Sequence, residues 1–245
     1  MAINWFKYSA PSTFYALAGK LAPWFAATAA ILFAAGLYIG FFVAPTDAVQ
    51  SEAYRIMFIH VPVSILSMFI YLVMACYAAL GLIFNTRLSG MMASALAPTG
   101  ALFTFIALWT GALWGKPMWG AWWVWDMRLT TELILLFLYL GFIALHASID
   151  DPRRADRAAA LLAIVGAVNV PIIYKSVEWW NTLHQGATIK FSGTSMHVAM
   201  QEALFTMLLA CWAYAIAMTL WRVRSIILER ERSTTWVQDL PEFKR

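Results

Sequence analysis

Five of the 13 tryptophans fall within the twelve residues Trp114–Trp125, and three of the four histidines, His60, His184 and His197, lie in segments on either side of that string. A neutral imidazole is a good iron ligand, and two imidazoles approaching from opposite sides make a six-coordinate heme. An indole buries a large flat area and keeps one N–H for a polar partner. Several together make either a platform for a large planar apolar ligand or a float in the lipid interface, and the residue types alone leave both readings open.

The string reads Trp114-Gly115-Lys116-Pro117-Met118-Trp119-Gly120-Ala121-Trp122-Trp123-Val124-Trp125-Asp126. Pro117 and the two glycines predict an irregular backbone in its first half, while Trp119, Trp122 and Trp123 have the spacing of one face of a short helix. Asp126 is suited to accept from an indole or backbone N–H and so fix the turn into the helix that follows. Arg128 and Glu132 stand one turn apart on one helical face, which gives Arg128 the option of an ion pair. His197 is ambiguous: its imidazole could ligate, but the cap-like approach Ser192-Gly193-Thr194-Ser195 suggests a residue in the first turn of a helix. His146 reads as a polar tip at a membrane interface, and Cys76 and Cys211, each inside an apolar run, read as small core residues.

The elements that must position these side chains follow from composition. Of the 245 residues, 62% are apolar and 12% charged, far from the roughly 45–50% and 25% of an ordinary soluble domain. The chain reads as an all-α integral membrane protein, one six-helix domain over residues 1–245. Its spans are about Leu21–Val43, Val61–Phe84, Ala95–Leu113, Leu129–Leu145, Ala158–Tyr174 and Met200–Trp221, each long enough for about 30 Å of hydrocarbon. The first reads as an uncleaved helix, its apolar stretch being too long for a signal peptide.

A formal net charge of +4 reflects membrane orientation and does not call for a nucleic-acid partner. Twelve lysines and arginines fall on the side holding both termini, the Arg87 loop and the Arg153-Arg154 loop, against five on the side holding Arg55, Lys116, Arg128, Lys175 and Lys190. Basic residues collect on the cytoplasmic side. Both termini are therefore expected in the cytoplasm and the tryptophan-rich loop outside. Asn169 and Glu202, inside spans, are expected to face the bundle.

The segment Trp119-Gly120-Ala121-Trp122-Trp123-Val124-Trp125-Asp126 resembles the Trp-Gly-x-x-Trp-x-Trp-Asp signature of the heme-handling proteins of cytochrome c biogenesis. With six spans, a short chain and a histidine in each flanking outer segment, the whole length is similar to the cytochrome c maturation protein C family, also called heme exporter protein C. The resemblance implies a bacterial inner-membrane protein, not itself an enzyme, that binds heme b at the periplasmic face. It implies His60 and His184 as axial ligands and Trp114, Trp119, Trp122, Trp123, Trp125 and Asp126 as the heme-binding segment. Implied partners are a periplasmic heme chaperone, cytochrome c maturation protein E, an ABC-type ATPase, a second multi-span subunit and a small membrane protein. For such a ligand Arg55 and Arg128 are candidate propionate contacts, or else snorkelling cations.

Two other classes fit a bundle of this size. A small-solute permease would need polar residues and broken helices near the midplane, where Asn169 beside Pro171 is the chief candidate. A cytochrome b-like electron carrier would place histidine pairs within facing spans, whereas these histidines sit at the outer ends. The charge asymmetry gives the orientation a direct check. In a cysteine-free background, Gly120→Cys should react with a membrane-impermeant maleimide on intact spheroplasts and Arg154→Cys should not; the reverse pattern would overturn the orientation.

Overall fold

Hydrocarbon offers no water to bond a bare N–H or C=O, so an apolar stretch crossing it is driven to satisfy its backbone internally as a helix. The computed structural model describes residues 5–180, 182, 184, 189–190, 193–194 and 196–241. Among these, six helical segments are long and apolar enough to cross a membrane: Pro11–Val43, Glu52–Phe84, Arg87–Trp119, Met127–Ser148, Pro152–Trp179 and Val198–Arg230. Lys244 and Arg245 of the basic tail, and Ser192 and Ser195 before His197, lie outside the described residues.

Helix α1 (Pro11–Tyr38) starts on a proline, whose missing N–H would be unpaired there anyway, and ends in a wider π turn over Ile39–Val43. A 3-10 turn, Glu52–Ile56, runs directly into α2 (Met57–Phe84). Asn85, at φ 54°, ends α2 in the left-handed conformation and Thr86 leads into α3 (Arg87–Trp119), so α2 and α3 form a tight antiparallel pair. Asp126 and Asp151 cap α4 (Met127–Ser148) and α5 (Pro152–Gly166) through bonds from Leu129 N and Arg154 N. The fifth span is interrupted at Ala167–Val168 and resumes as α6 (Asn169–Trp179). After a two-residue antiparallel pairing of Ile189–Lys190 with Gly193–Thr194, α7 (Val198–Arg230) and the short α8 (Thr235–Gln238) complete the chain.

Several helices outrun the apolar stretches that predict them. The apolar stretch places the opening of the second span at Val61, but α2 already begins at Met57. Polar Glu52, Arg55 and His60 keep this end out of any apolar window although the backbone is helical. Likewise Arg222, Arg224 and Arg230, expected in a tail, belong to α7. A 33-residue helix extends about 50 Å against about 30 Å of hydrocarbon, so these ends project or the helices tilt.

Helix α1 packs along α7, α2 along α3, and α4 against both α3 and α5, with α2 also touching α5 and α7. Where α2, α3, α4 and α5 meet, Tyr71 and Tyr139 are fully buried edge to face with ring centroids 5.0 Å apart. Tyr139 Oη donates to the Ser67 carbonyl at 2.7 Å and Ser67 Oγ to Glu132 Oε1 at 3.0 Å. Asn169 faces the bundle as expected, donating to the Thr131 carbonyl at 2.9 Å. Glu202 does not; it is exposed, on the side of α7 away from the buried Ala199, Met200, Ala203 and Leu204.

At the end carrying the Asn85-Thr86 turn, charges tie helices together. Arg230 holds Asp156 with two bonds, 2.7 and 2.9 Å, and Arg87 pairs with Glu231 at 3.2 Å. His146 is more enclosed than an interfacial tip, with its Nε2 3.2 Å from Ser94 Oγ and 3.8 Å from Asp156.

Close helix approach depends on glycine at one telling point. A Cβ on Gly166 would lie 2.2 Å from the Tyr71 hydroxyl, which itself has no hydrogen-bond partner among the described residues. Gly166→Ala should therefore destabilise the bundle by about 1–3 kcal/mol. Tyr71→Phe alone should be nearly neutral and, combined with Gly166→Ala, should recover most of the loss. Thermal unfolding in detergent checks this; a double variant no more stable than Gly166→Ala alone would contradict it.

Candidate functional site

The alternation of helix direction brings the start of α2, the end of α3, the start of α4 and the connection after α6 to one end of the bundle. His60 sits in the first turns of α2, on the helix and not in a connecting loop. Its Nδ1 is 3.0 Å from Thr110 Oγ1 of α3, and the Thr110 hydroxyl donates to the Ile106 carbonyl at 2.6 Å. One turn after Thr110, Trp114 meets the His60 ring at its edge, centroids 5.7 Å apart and planes at 78°. The Trp114 indole N–H donates to Gln50 Oε1 at 2.9 Å.

His184 comes from the connection between α6 and α7. Its backbone N–H donates to Thr182 Oγ1 at 3.0 Å, a local turn that fixes the backbone at this residue. The His60 and His184 rings stand with centroids 6.3 Å apart and planes 37° from parallel. Residues 124 positions apart in the chain thus face each other across one pocket, whose walls include Trp114, Trp119, Trp122 and Trp123.

The tryptophan string does not form the expected short helix. Helix α3 runs through Pro117 to Trp119, and Gly120, at φ 78°, ends it with its N–H bonded to the Lys116 carbonyl at 3.0 Å. Trp122 and Trp123 follow in non-helical backbone, so they share no helical face with Trp119. The irregularity expected before Trp119 arises after it, because a proline in the last turn removes only one ladder bond while left-handed Gly120 turns the chain. The chain then folds back onto α3, where a Cβ on Gly115 would lie 3.1 Å from the Ala121 carbonyl oxygen.

Within this segment the indoles differ in role. Trp125 is 77% exposed, lies outside the pocket and meets Trp123 edge to face at 5.4 Å. Trp123 lines the pocket, and its Nε1 is buried with no partner among the described residues. Asp126 also lines the pocket, and its carboxylate accepts from Leu129 N at 2.8 Å, the turn-fixing role expected of it. His197 caps α7, its Nδ1 accepting from Ala199 N at 3.2 Å, and does not line the pocket.

The two arginines are placed differently from the histidines. Arg55 pairs with Glu52 and donates to the carbonyls of Gly40 and Ala44, which fastens the end of α1 to the start of α2. Arg128 donates to the Ile173 carbonyl at 2.9 Å. This takes the place of the direct pair that the spacing allows with Glu132, whose carboxylate is bonded by Ser67. Neither arginine lines the pocket. Conversely Gln50, Thr110 and Gly111 belong to the site and were not singled out from sequence. Thr110 and Trp114 are separated by four residues and so share a helical face, which is the signal that could have found the threonine.

Residues 4–238 match the family model of heme exporter protein C. The chain is 47% identical to Heme exporter protein C of Escherichia coli (strain K12) over 230 residues, 94% of this chain and 93% of that relative. It is 44% identical to Heme exporter protein C of Haemophilus influenzae over 96% of both chains. Against Heme exporter protein C of Bradyrhizobium diazoefficiens it is 47% identical over 90% of this chain and 84% of the relative. Six membrane-length helices and matches of this extent make the chain a multi-pass protein of the bacterial inner membrane that belongs to the heme exporter protein C family.

Proposed function

We propose that this chain, acting over residues 1–245 as one unit, serves heme export for cytochrome c biogenesis by binding heme b at the periplasmic face of the membrane and presenting it to a periplasmic heme chaperone. The observation that carries the reading is the pairing of His60 with His184, ring centroids 6.3 Å apart, inside a pocket walled by tryptophans. With nitrogen–metal bonds of about 2.0–2.1 Å, two imidazoles on opposite sides of one metal ion bring their centroids to roughly this separation. Indole faces suit the porphyrin, and the unpartnered Trp123 N–H suits an acceptor on the ligand's rim.

In this reading the chain is a delivery subunit and not an enzyme. His60 and His184 hold the iron, and Trp114, Trp119, Trp122 and Trp123 hold the macrocycle. Trp125, exposed beside Trp123, offers a surface to the receiving chaperone. Asp126 shapes the segment as a helix cap. Arg128, whose guanidinium donates to one backbone carbonyl among the described residues, is better placed than Arg55 to turn toward a propionate. Family membership supports a heme-export complex with other maturation subunits. The ATPase, the second multi-span subunit, the small membrane protein and the chaperone are the partners proposed here, since the chain has no nucleotide-binding motif.

His60→Ala or His184→Ala should remove the six-coordinate low-spin spectrum of the hemin-loaded protein in detergent, and exogenous imidazole should restore it by filling the vacated position. His146→Ala and His197→Ala should leave the spectrum unchanged. An unaltered low-spin spectrum in the His60→Ala, His184→Ala double variant would refute the assignment.

A further inference from the structure

The Thr110 hydroxyl has one hydrogen, and the Ile106 carbonyl at 2.6 Å takes it. What Oγ1 can offer His60 is therefore a lone pair, and His60 Nδ1, 3.0 Å away, must carry the hydrogen of that bond. A neutral imidazole has one N–H, so Nδ1–H leaves Nε2 bare and able to ligate. The next residue sets the ring's position. A Cβ on Gly111 would lie 3.2 Å from His60 Cε1 and 3.7 Å from Nδ1, so the Nδ1–Cε1 edge rests directly on α3. Trp114 then closes on the ring from one turn further along.

We propose that Thr110 is the positioning residue for His60, selecting the tautomer that presents Nε2 to heme iron, with Gly111 providing the space for the ring to lie against α3. The proposal rests on His60 being an axial ligand. Metal-bound histidines commonly donate their second N–H to a fixed acceptor, which raises ligand basicity and holds the ring's orientation. The acceptor here is a side chain on a helix, and its own hydrogen is fixed by the backbone of the preceding turn. A threonine bonded only to its i−4 carbonyl would be a local helix feature with no bearing on the ligand; the bond to His60 is what joins it to the site.

Thr110→Val keeps the size and removes the acceptor, whereas Thr110→Ser keeps the acceptor. In a hemin titration of the purified protein, Thr110→Val should weaken binding by about 10- to 100-fold, with a smaller low-spin fraction, and Thr110→Ser should behave as the wild type. Gly111→Ala should also lower the low-spin fraction.

A second measurement separates positioning from packing. In His60→Gly, imidazole and 1-methylimidazole are compared for restoring the low-spin spectrum, since only imidazole has an N–H to give Thr110. Imidazole should act at the lower concentration, and adding Thr110→Val should shrink that preference by about 10-fold or more. Any steric penalty on the methyl group would persist, because valine and threonine match in size. Equal action of the two compounds in His60→Gly, or wild-type hemin affinity in Thr110→Val, would overturn the role of Thr110 alone. A full low-spin spectrum in His60→Gly without any added base would instead overturn the ligand reading, and this proposal with it.

Discussion

The absence of water from the bilayer core governs this molecule. Each backbone polar group at that depth must find its partner within the chain, which commits the spans to helices and leaves irregular backbone mainly to the ends, apart from the break at Ala167–Val168 beside the Asn169–Thr131 bond. The consequence is visible in where directed polar groups gather. One end holds the Arg230–Asp156 and Arg87–Glu231 pairs and the enclosed His146. The other holds two histidines, a cluster of indoles and the non-helical segment that follows Gly120.

At the tryptophan-rich end the two histidines come from different kinds of element. His60, Thr110 and Trp114 are carried by the paired helices α2 and α3, whose register is set by the short turn at Asn85 and Thr86. His184 comes from the connection after α6, where its backbone N–H donates to Thr182 Oγ1. In the proposed reading, one ligand is therefore carried by a helix and the other by a connection. The tryptophan segment adds a wall anchored at Gly115, Gly120 and the Asp126 cap.

Much of this was legible in the sequence, and the gaps have physical causes. Apolar runs locate the spans because transfer to hydrocarbon dominates their energetics. They do not locate helix ends, because Glu52, Arg55 and His60, or Arg222 through Arg230, are compatible with a helix that has left the hydrocarbon. The break at Ala167–Val168 is bonded across by Asn169 to α4, a tertiary contact that a local pattern does not announce. In the site, histidine and tryptophan stand out by type. Thr110, Gly111 and Gln50 matter through what they touch, and an ordinary threonine-glycine pair inside an apolar helix carries no mark of that. Arg128 and Glu132 had the right spacing for each other, yet Ile173 and Ser67 from neighbouring helices were better placed.

The central claim is that one iron is shared by one histidine from a helix and one from a loop. Pulsed electron paramagnetic resonance of the ferric hemin complex, made with protein carrying 15N-labelled histidine, counts the histidine nitrogens bound to iron directly. The account predicts two strongly coupled labelled nitrogens on a low-spin ferric centre, reduced to one when His184 is replaced by Ala. A single coupled nitrogen in the unaltered protein, or none, would contradict it.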